Sequence, residues 1–550
     1  MSPKQQIINL LNKHTKLKKE KLSNLIETPP QNLGDYAFPC FILAKTLKKP
    51  PVEIAKQLAK LPKPSQIEKI QATGPYLNFY IKKEYILTQK QKQKRKKEKI
   101  MIEFSNPNPF KAFHVGHLRN TVLGESINRL LTQQGYKTVP VNYYNDTGKH
   151  VATCIWGIEN LKTKELEDKG EQLGNTYAEA SKKILDNKTF QQQASEIHKK
   201  LENKDKKYLN IYKQNLKHSE DHFNKIYKDL QVKFKKIYYD SKFTKTGKEI
   251  VNKLLKLKIA EESEGAIIAD LEKYNLNTLV LLRTDKTAMY ITKDLSMATQ
   301  RIKEYNLDRS IYVVGSEQNL HFKQLFKLLE LTGYKQAKKC FHLSYGLVHL
   351  PEGRMSSRKG KIILYNEIKR NLIKIIDKEI NKRHKEWSKQ RKLKAQQAIF
   401  SAAIKFDMLL QDPNKEIIFD INKAISFEGD TGPYIQYTHA RASSILKKAK
   451  TKITDKINYN LLSNIKESNL ISKISKFPET IEASAEQYKP SLLAHYLLEL
   501  SHIFNDFYHS CPCISEDKEL QKARLLLVNK TKEIISQGLS LLAIQAPEEM

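Results

Sequence analysis

Residues 103–120 read EFSNPNPFKAFHVGHLRN, and they decide the class of the fold. The apolar run IMIEF at 100–104 predicts a strand, and an apolar stripe at helical spacing predicts a helix that begins near Leu118. Gly135 ends this helix, and the run at 138–144 predicts the next strand. Strand, helix and strand in this order form a βαβ unit, which is the building block of a parallel, doubly wound sheet.

Patterns further along the chain predict the second half of this sheet. They are an alternating strand at 278–282, a helix at 294–305, a strand at 311–314, a helix from about Leu320 and a strand at 341–348. Residues 161–270 are charged and mostly helical, which indicates an insertion. The sheet and its insertion together predict a Rossmann-like α/β domain over residues 100–384.

Three further segments flank the α/β domain. Residues 1–88 combine two amphipathic helices with the aromatic, alternating strand GPYLNFYI at 74–81, which predicts a small α+β domain. Residues 89–99 form a basic linker. From residue 385 to 550 the pattern is helical almost throughout, which predicts an all-α domain.

The composition excludes several classes of protein. Only 19 glycines and 19 prolines among 550 residues exclude a collagen-like chain, and five cysteines without C-x-x-C spacing predict neither a disulfide scaffold nor a structural zinc site. Without an apolar run of about 18 residues or a secretory signal, we expect a soluble, cytoplasmic protein with no membrane span. The net charge of +36 makes nucleic acid the first partner to consider, although a general abundance of lysine explains part of it.

The tetrapeptide HVGH at 114–117 falls between the first strand and the helix, at the sheet edge where ligands bind. Gly116 allows close approach of a ligand, and the helix amino terminus favours anions. Two imidazoles at this spacing are suited to donate hydrogen bonds to phosphate oxygens. Alone, the motif is weak evidence, because a histidine pair is more often structural, and it supplies too few ligands for zinc.

A second loop, GRMSSRKG at 353–360, follows the last strand of the sheet. Its two hydroxyls, two guanidiniums and one ammonium between glycines are suited to clamp phosphates. Alone it is equally consistent with a solvated turn. Together with HVGH it predicts that two distant loops converge on one bound triphosphate.

These two loops resemble the signature motifs of class I aminoacyl-tRNA synthetases, and the surrounding sequence resembles the arginyl-tRNA synthetase family within that class. Besides residues 103–120 and 353–360, the similar segments are NLGDYAFPCF at 32–41, GPYLNFYI at 74–81, YITKDL at 290–295, YVVGSEQNLHFKQ at 312–324, DTGPYIQYTHAR at 430–441, FNDFYHSCPC at 504–513 and AIQAPEEM at 543–550. The resemblance covers the chain from end to end except for the linker and the insertion.

The resemblance implies a reaction and its participants. Arginine is activated by ATP with Mg²⁺ to arginyl-adenylate, and the arginyl group is transferred to the 3′ end of tRNA(Arg), by an enzyme expected to be monomeric. ATP binding is implied for His114, Gly116, His117 and Lys359. Catalytic roles are implied for Lys111, His114, His117, Arg354, Met355, Ser356, Ser357, Arg358 and Lys359.

The resemblance also implies the binding residues. Glu103, Tyr290 and Asp294 would hold the guanidinium, for which paired carboxylate oxygens are good partners, and Asn108 and Gln318 would hold the amino-acid head. Helix capping or salt bridging is the alternative for each of these residues, Asp294 as an N-cap among them. The implied tRNA contacts, which packing alone also explains, are Tyr76 and Asn78 in residues 1–88 and Tyr434, Tyr437 and Arg441 in the anticodon-binding domain.

Three departures from the family pattern affect this interpretation. Arg354 stands where many class I enzymes have lysine, and Lys111 is a candidate substitute cation. Lys286 replaces a usual glycine and His150 an expected glutamine. The alternatives are a class I synthetase of another amino-acid specificity, a different nucleotidyl-transfer enzyme with HxGH, and a non-catalytic tRNA-binding relative.

Overall fold

The computed structural model describes residues 2–30, 33–89, 95–349, 364–426, 429–449 and 456–550. Its first part is a small α+β domain whose antiparallel sheet has the strand order β1-β3-β2. In β3 the alternation of YLNFYI turns Leu77, Phe79 and Ile81 into the core. The elements are α1 Pro3–Thr15, α2 Lys19–Leu25, β1 Tyr36–Pro39, α3 Phe41–Leu47, α4 Pro51–Leu58, β2 Ile67–Thr73, β3 Tyr76–Ile81 and α5 Lys83–Thr88.

The central part is built on a parallel sheet with the strand order β11-β10-β4-β5-β6 within the described residues. The central strand β4 is apolar on both faces, as buried parallel strands are, and Ile100, Met101 and Ile102 have no exposed surface. The elements are β4 Lys99–Glu103, α6 Val115–Gln133, β5 Lys137–Tyr144, α7 Lys149–Asn160, α8 Lys169–Leu185, α9 Lys188–Glu202, α10 Lys206–Asp229, β6 Lys236–Tyr239, α11 Thr244–Lys256, β7 Glu261–Ser263, β8 Ala266–Ala269, β9 Leu279–Leu282, α12 Tyr290–Tyr305, β10 Arg309–Gly315, α13 Asn319–Leu331, β11 Cys340–Tyr345 and β12 Val348–His349.

Several strands differ from the sequence-based expectation. The run predicted as one strand at 341–348 is divided into β11, which joins the parallel sheet, and β12, which pairs with β13 (Ile417–Ile418) outside it, and β7 and β8 form a hairpin within the predicted insertion. β6 lies inside the predicted insertion and pairs with β5 at the sheet edge, and its four residues KIYY have only Tyr238 buried, which makes the strand pattern too weak to recognise. The alternating run near 279 does form β9, but β9 pairs with β8 in a separate antiparallel sheet. Alternation reveals a strand but does not identify its partner.

The last part is helical, with a two-stranded connection in which β12 pairs with β13. Its elements are α14 Tyr365–Arg383, α15 Lys389–Leu410, β13 Ile417–Ile418, α16 Ile421–Ala424, α17 Gly432–Ala449, α18 Ile465–Ser475, α19 Phe477–Glu486, α20 Pro490–Ser510 and α21 Lys518–Leu541. Short 3₁₀ turns lie at Asp240–Phe243, Glu272–Tyr274, Ser316–Gln318, Lys335–Lys339 and Tyr459–Leu461. The architecture confirms the predicted fold class.

Side chains that donate to backbone carbonyls join the helical part to the α/β part. Lys405 of α15 donates to the carbonyls of Leu230 and Ala543, and Arg129 of α6 donates to the carbonyl of Ser540 at 2.9 Å. Burial lowers the pKa of Lys405 to about 7. Searched over the described ranges alone, the helices include none that is long and apolar enough to cross a membrane.

Candidate active site at the carboxyl edge of the parallel sheet

The paired histidines lie at the amino terminus of α6, after the loop that follows β4. Their rings stack, with centroids 3.8 Å apart and planes 26° apart. The Nδ1 atom of His114 accepts from the amide of Gly116 at 3.2 Å, and Nδ1 of His117 accepts from the amide of His114 at 3.4 Å. Because Nδ1 accepts in both rings, the proton of each neutral imidazole is assigned to Nε2.

Both imidazoles are held neutral at physiological pH. Burial, followed by the nearby charge of Lys111, lowers the pKa of His114 to about 4. Burial, followed by His114 and Lys111, lowers the pKa of His117 well below its ordinary value. The pair therefore presents two N–H donors, rather than two cations, beside the helix amino terminus.

The loop that leads to α6 is bent by residues with positive φ. Ser105, Asn106 and Phe110 have φ of 79°, 45° and 67°. Side chains from neighbouring elements support this backbone: the amide of Ser105 donates to Oδ1 of Asn120 at 2.7 Å, and the amide of Asn106 donates to Oδ1 of Asn142 at 3.0 Å. The loop is consequently attached to both α6 and β5.

Two predicted site residues lie on the same loop. Asn108 is half-buried, and its carbonyl accepts from the amide of Lys111 at 3.3 Å. The ammonium of Lys111 lies 5.0 Å from the ring centroid of Tyr177 in α8. Lys111 thus faces the helices of the predicted insertion as well as the histidine pair.

The chain on both sides of residues 350–363 lies against α6. On the amino-terminal side, the buried guanidinium of Arg119 donates to the carbonyls of Gly346 at 2.5 Å and Lys415 at 2.7 Å. On the carboxyl-terminal side, Leu364 forms a β-bridge with His114, and the amide of Tyr365 donates to the carbonyl of Phe113 at 2.9 Å. The described chain therefore resumes at Leu364, directly beside the histidines. The predicted residues Arg354, Met355, Ser356, Ser357, Arg358 and Lys359 themselves lie outside the described residues.

Glu103, at the end of β4, is already paired within the protein. Its side chain forms a salt bridge with Arg301 of α12, and its other oxygen accepts from Asn106 Nδ2 at 3.1 Å. Burial opposes the charge of Arg301, but the Glu103 carboxylate offsets that effect and raises the pKa of Arg301. The guanidinium also lies 4.3 Å from the ring centroid of Tyr238. In this structure Glu103 therefore forms a salt bridge within the protein, which is the alternative to binding the substrate guanidinium.

Asp294 is positioned differently from Glu103. It lies one turn into α12, which begins at Tyr290, so it is not an N-cap. Its Oδ2 atom is 2.7 Å from Nε2 of His321 in the first turn of α13. Burial, followed by the charges of Asp294 and Asp240, raises the pKa of Tyr143 in β5 well above its ordinary value, and the Tyr143 hydroxyl donates to Oδ1 of Asp240 at 2.9 Å.

The remaining predicted arginine ligands are exposed. Tyr290 is 54% exposed at the first position of α12, and Gln318 is exposed at the start of α13. A Cβ at Gly148 would lie 3.8 Å from both the Tyr290 hydroxyl and Nδ1 of His150. Lys111 contributes to lowering the pKa of His150, second to burial. His150 and the Tyr290 hydroxyl therefore both lie beside Gly148, at the start of α7.

The two departures beside the site have local explanations. His150 Nε2 is 3.1 Å from the carbonyl of Asn145, which anchors the start of α7. Lys286 has φ of 61°, a conformation that favours glycine, and its ammonium contacts Glu262 and the carbonyl of Gly265, each at 3.1 Å. Lys286 thus occupies a turn position that suits glycine, and its side chain is directed toward the β7–β8 hairpin.

The predicted tRNA-contacting residues of the first domain share one face of β3. Tyr76 is half-buried, and its ring lies edge-on to exposed Phe41, with centroids 5.8 Å apart. Asn78 is 1% exposed, and its Oδ1 has no hydrogen-bond partner within the described ranges. This face combines an accessible aromatic pair with an unsatisfied amide oxygen.

The predicted residues of α17 lie in a polar aromatic cluster. Arg441 donates to Oδ1 of Asn505 at 2.6 Å and to the hydroxyl of Tyr437 at 3.1 Å. The Tyr434 hydroxyl is 3.1 Å from Nδ1 of His502. A groove with a volume of about 640 Å³ opens beside the cluster and is lined by aromatic and basic side chains, including Trp387, Arg391, Tyr437, Arg441 and Tyr508.

Sequence reasoning missed three side chains that organise the site: Arg119, Arg301 and His321. Two of them had a readable signal. Arg301 follows Asp294 by seven residues, which places both on one helical face, and His321 lies within the stretch 312–324 that carries the resemblance. No sequence pattern indicates that Arg119 donates hydrogen bonds to backbone carbonyls.

Comparisons with known proteins identify a family for each part of the chain. The family described as tRNA synthetases class I (R), catalytic domain, matches residues 82–421. The DALR anticodon binding domain matches residues 435–550, and the arginyl tRNA synthetase N terminal domain matches residues 2–81. Family matches therefore extend over nearly the whole chain.

Individual relatives are similar over their full length. The arginine–tRNA ligase of Clostridioides difficile is 34% identical, with 97% of each chain covered. That of Bdellovibrio bacteriovorus is 36% identical, with 96% of this chain and 94% of the relative covered. The solved arginyl-tRNA synthetase of Thermus thermophilus has a TM-score of 0.84 at 26% identity and covers 100% of this chain and 99% of its own.

Proposed function

The chain belongs to the class I arginyl-tRNA synthetase family, and from this premise we propose that it activates L-arginine with ATP and transfers the arginyl group to the 3′ end of tRNA(Arg). One observation supports this activity most directly: a single sheet edge carries both chemistries that it needs. The histidine pair offers donors to phosphate, and Asp294 offers a carboxylate to a guanidinium.

In the first step, a carboxylate oxygen of arginine attacks the α-phosphorus of ATP. The bond between the α-phosphorus and the bridging oxygen to the β-phosphate breaks, and pyrophosphate leaves. Negative charge is redistributed over phosphate oxygens, so N–H donors that are oriented in advance lower the barrier. The Nε2–H groups of His114 and His117 and the amino terminus of α6 would supply these donors, and Gly116 would permit close approach.

Cations complete this half of the site. We assign Lys111 to the phosphates because it lies near the histidines, and ATP would enter as its Mg²⁺ complex. For Arg354, Met355, Ser356, Ser357, Arg358 and Lys359 the assignment to the β- and γ-phosphates rests on the resemblance. The bridge between Leu364 and His114 supports it, because the chain resumes at the phosphate side of the cleft.

In the arginine pocket, Asp294 is the carboxylate that we assign to the guanidinium, with the Tyr290 hydroxyl beside it. Asn108 and Gln318 are assigned to the amino-acid head. Glu103 would act indirectly, by holding Arg301 and Asn106 beside the pocket, since both of its oxygens already have partners and Arg301 balances its charge. A carboxylate pocket of this kind disfavours uncharged amino acids, which argues against a specificity for any of them.

In the second step, a ribose hydroxyl at the 3′ end of tRNA attacks the carbonyl carbon of arginyl-adenylate, and AMP leaves. We assign tRNA contacts to Tyr76 and Asn78 in the domain at 1–88. Tyr434, Tyr437 and Arg441 beside the aromatic groove are assigned to the domain at 385–550, because stacking platforms and cations suit an unpaired loop. We also propose that the enzyme works in the cytoplasm as a monomer.

Amino-acid-dependent exchange of pyrophosphate into ATP tests this function. With tRNA present, exchange should require arginine and should not occur with lysine, cysteine or glutamine. A second series without tRNA would test whether the exchange also depends on tRNA. Exchange at equal rates with lysine would overturn the specificity, and the absence of exchange with every amino acid would favour a non-catalytic tRNA-binding protein.

A further inference from the structure

His321 contacts the carboxylate that is assigned to the substrate guanidinium. It lies in the first turn of α13, and its Nε2 is 2.7 Å from Oδ2 of Asp294. Both side chains are only partly exposed, at 24% for His321 and 21% for Asp294. The contact therefore connects α13 to α12 across the predicted arginine pocket.

The other oxygen of this carboxylate remains available. Oδ1 of Asp294 has no hydrogen-bond partner within the described part of the chain, and it is not a buried atom. A carboxylate has two free torsions, and a partner on one oxygen restricts the direction of the other. An anchored carboxylate loses less conformational freedom when a ligand binds to it.

The histidine is itself held in place by its surroundings. Its ring lies edge-on to that of Phe322, and Phe322 stacks against His342, with ring centroids 4.4 Å apart. His342 in turn has Nε2 3.0 Å from the carbonyl of Val314 at the end of β10. The orientation of Asp294 is thus linked to the central sheet through His321 and the rings packed around it.

We propose that His321 is a positioning residue for arginine specificity, which rests on the proposed function of Asp294 as the guanidinium ligand. Its Nε2–H holds Oδ2 of Asp294 and directs Oδ1 toward the guanidinium. His321 touches neither ATP nor the reacting carboxylate of arginine. Its loss affects the binding of arginine, while ATP binding and the chemical step are preserved.

Kinetics of two variants test this role in the full-length enzyme with tRNA present. His321→Leu removes the donor and should raise KM for arginine about tenfold, with KM for ATP and kcat within about twofold of the wild type. His321→Gln carries an amide N–H at a similar reach, so it should recover most of the arginine affinity. A structural role alone predicts no such recovery and no split between the two substrates.

A control and a double variant complete the test. Lys323→Leu changes an exposed neighbour on the same helix and should leave both KM values unchanged. In the Asp294→Asn background, His321→Leu should raise KM for arginine by less than about threefold, because the two residues act as a unit. A full tenfold increase in that background, or equal increases for ATP and arginine, would overturn the proposal.

The outcome for Asp294 separates this inference from the proposed function. If Asp294→Asn leaves KM for arginine unchanged, the assignment of Asp294 to the guanidinium is wrong. If Asp294→Asn raises it and His321→Leu does not, only the positioning role of His321 is wrong.

Discussion

The cleft has two halves that differ in how their side chains are paired. In the half formed by β4 and α6, Glu103 and the two histidines form hydrogen bonds or salt bridges within the protein. In the half formed by α12 and α13, Tyr290 and Gln318 are exposed. The first half is organised before any substrate binds. Such an arrangement suits the stabilisation of charge in a transition state, because it requires no reorganisation. The second half leaves polar groups available, which suits the selection of a substrate.

The same difference separates the two carboxylates. Glu103 is 4% exposed and bound by a buried guanidinium, while Asp294 has one bound oxygen and one free oxygen. Residues that the resemblance groups together as one pocket thus have different physical environments. The comparison predicts that substitutions in the first half affect stability or kcat, and that those in the second half affect KM.

The largest effect is expected for Glu103→Gln. It leaves the charge of Arg301 buried without a counterion and should lower the free energy of unfolding by about 3–5 kcal/mol in a urea titration. The double variant Glu103→Leu with Arg301→Met should recover most of this loss, since neither charge remains. A single variant as stable as the wild type would contradict the structural role of the pair.

His117→Asn should give the next largest effect. Asparagine keeps an acceptor near the position of Nδ1, so the contact with the His114 amide is preserved, but it lacks the Nε2–H donor. We expect kcat to fall about 100-fold with the fold intact. Because burial holds the pKa of His117 well below its ordinary value, the imidazole stays neutral from pH 7 to 8. The kcat–pH profile should therefore keep its shape in the variant, and a lost inflection in this range would contradict a neutral donor.

Asp294→Asn should have a smaller, selective effect in the second half. Loss of a charged hydrogen bond to the guanidinium costs about 1.5–2.5 kcal/mol, which corresponds to a rise of roughly 10- to 60-fold in KM for arginine. KM for ATP and the urea midpoint should stay close to the wild type. Equal changes in both KM values would remove Asp294 from the guanidinium pocket.

Lys286→Gly should have the smallest effect. Glycine adopts the positive φ without strain, but it raises the conformational entropy of the unfolded chain. The exposed salt bridge with Glu262 contributes little to the free energy of unfolding. These contributions nearly cancel, so the free energy of unfolding should change by less than about 1 kcal/mol, and exchange kinetics should be unchanged. A tenfold change in KM for either substrate would show that this departure from the family pattern affects the site.

Much of the first half could be predicted from sequence because its information is local. The order of β4, α6 and β5 follows from apolar runs and a helical stripe, and this order places HVGH at a ligand-binding edge. The edge strand β6 was missed because four residues with one buried side chain carry little pattern. The partner of β9 was also missed, because strand pairing depends on contacts distant in sequence.

The sequence by itself determined the α/β class, the loops rich in polar side chains and the identity of the groups able to bind phosphate and guanidinium, since periodicity and side-chain chemistry are properties of the chain. Only the tertiary structure decided how those groups are used. It bound Glu103 to Arg301, held Asp294 through His321 and made the histidine pair neutral, because burial and pairing depend on which distant segments meet.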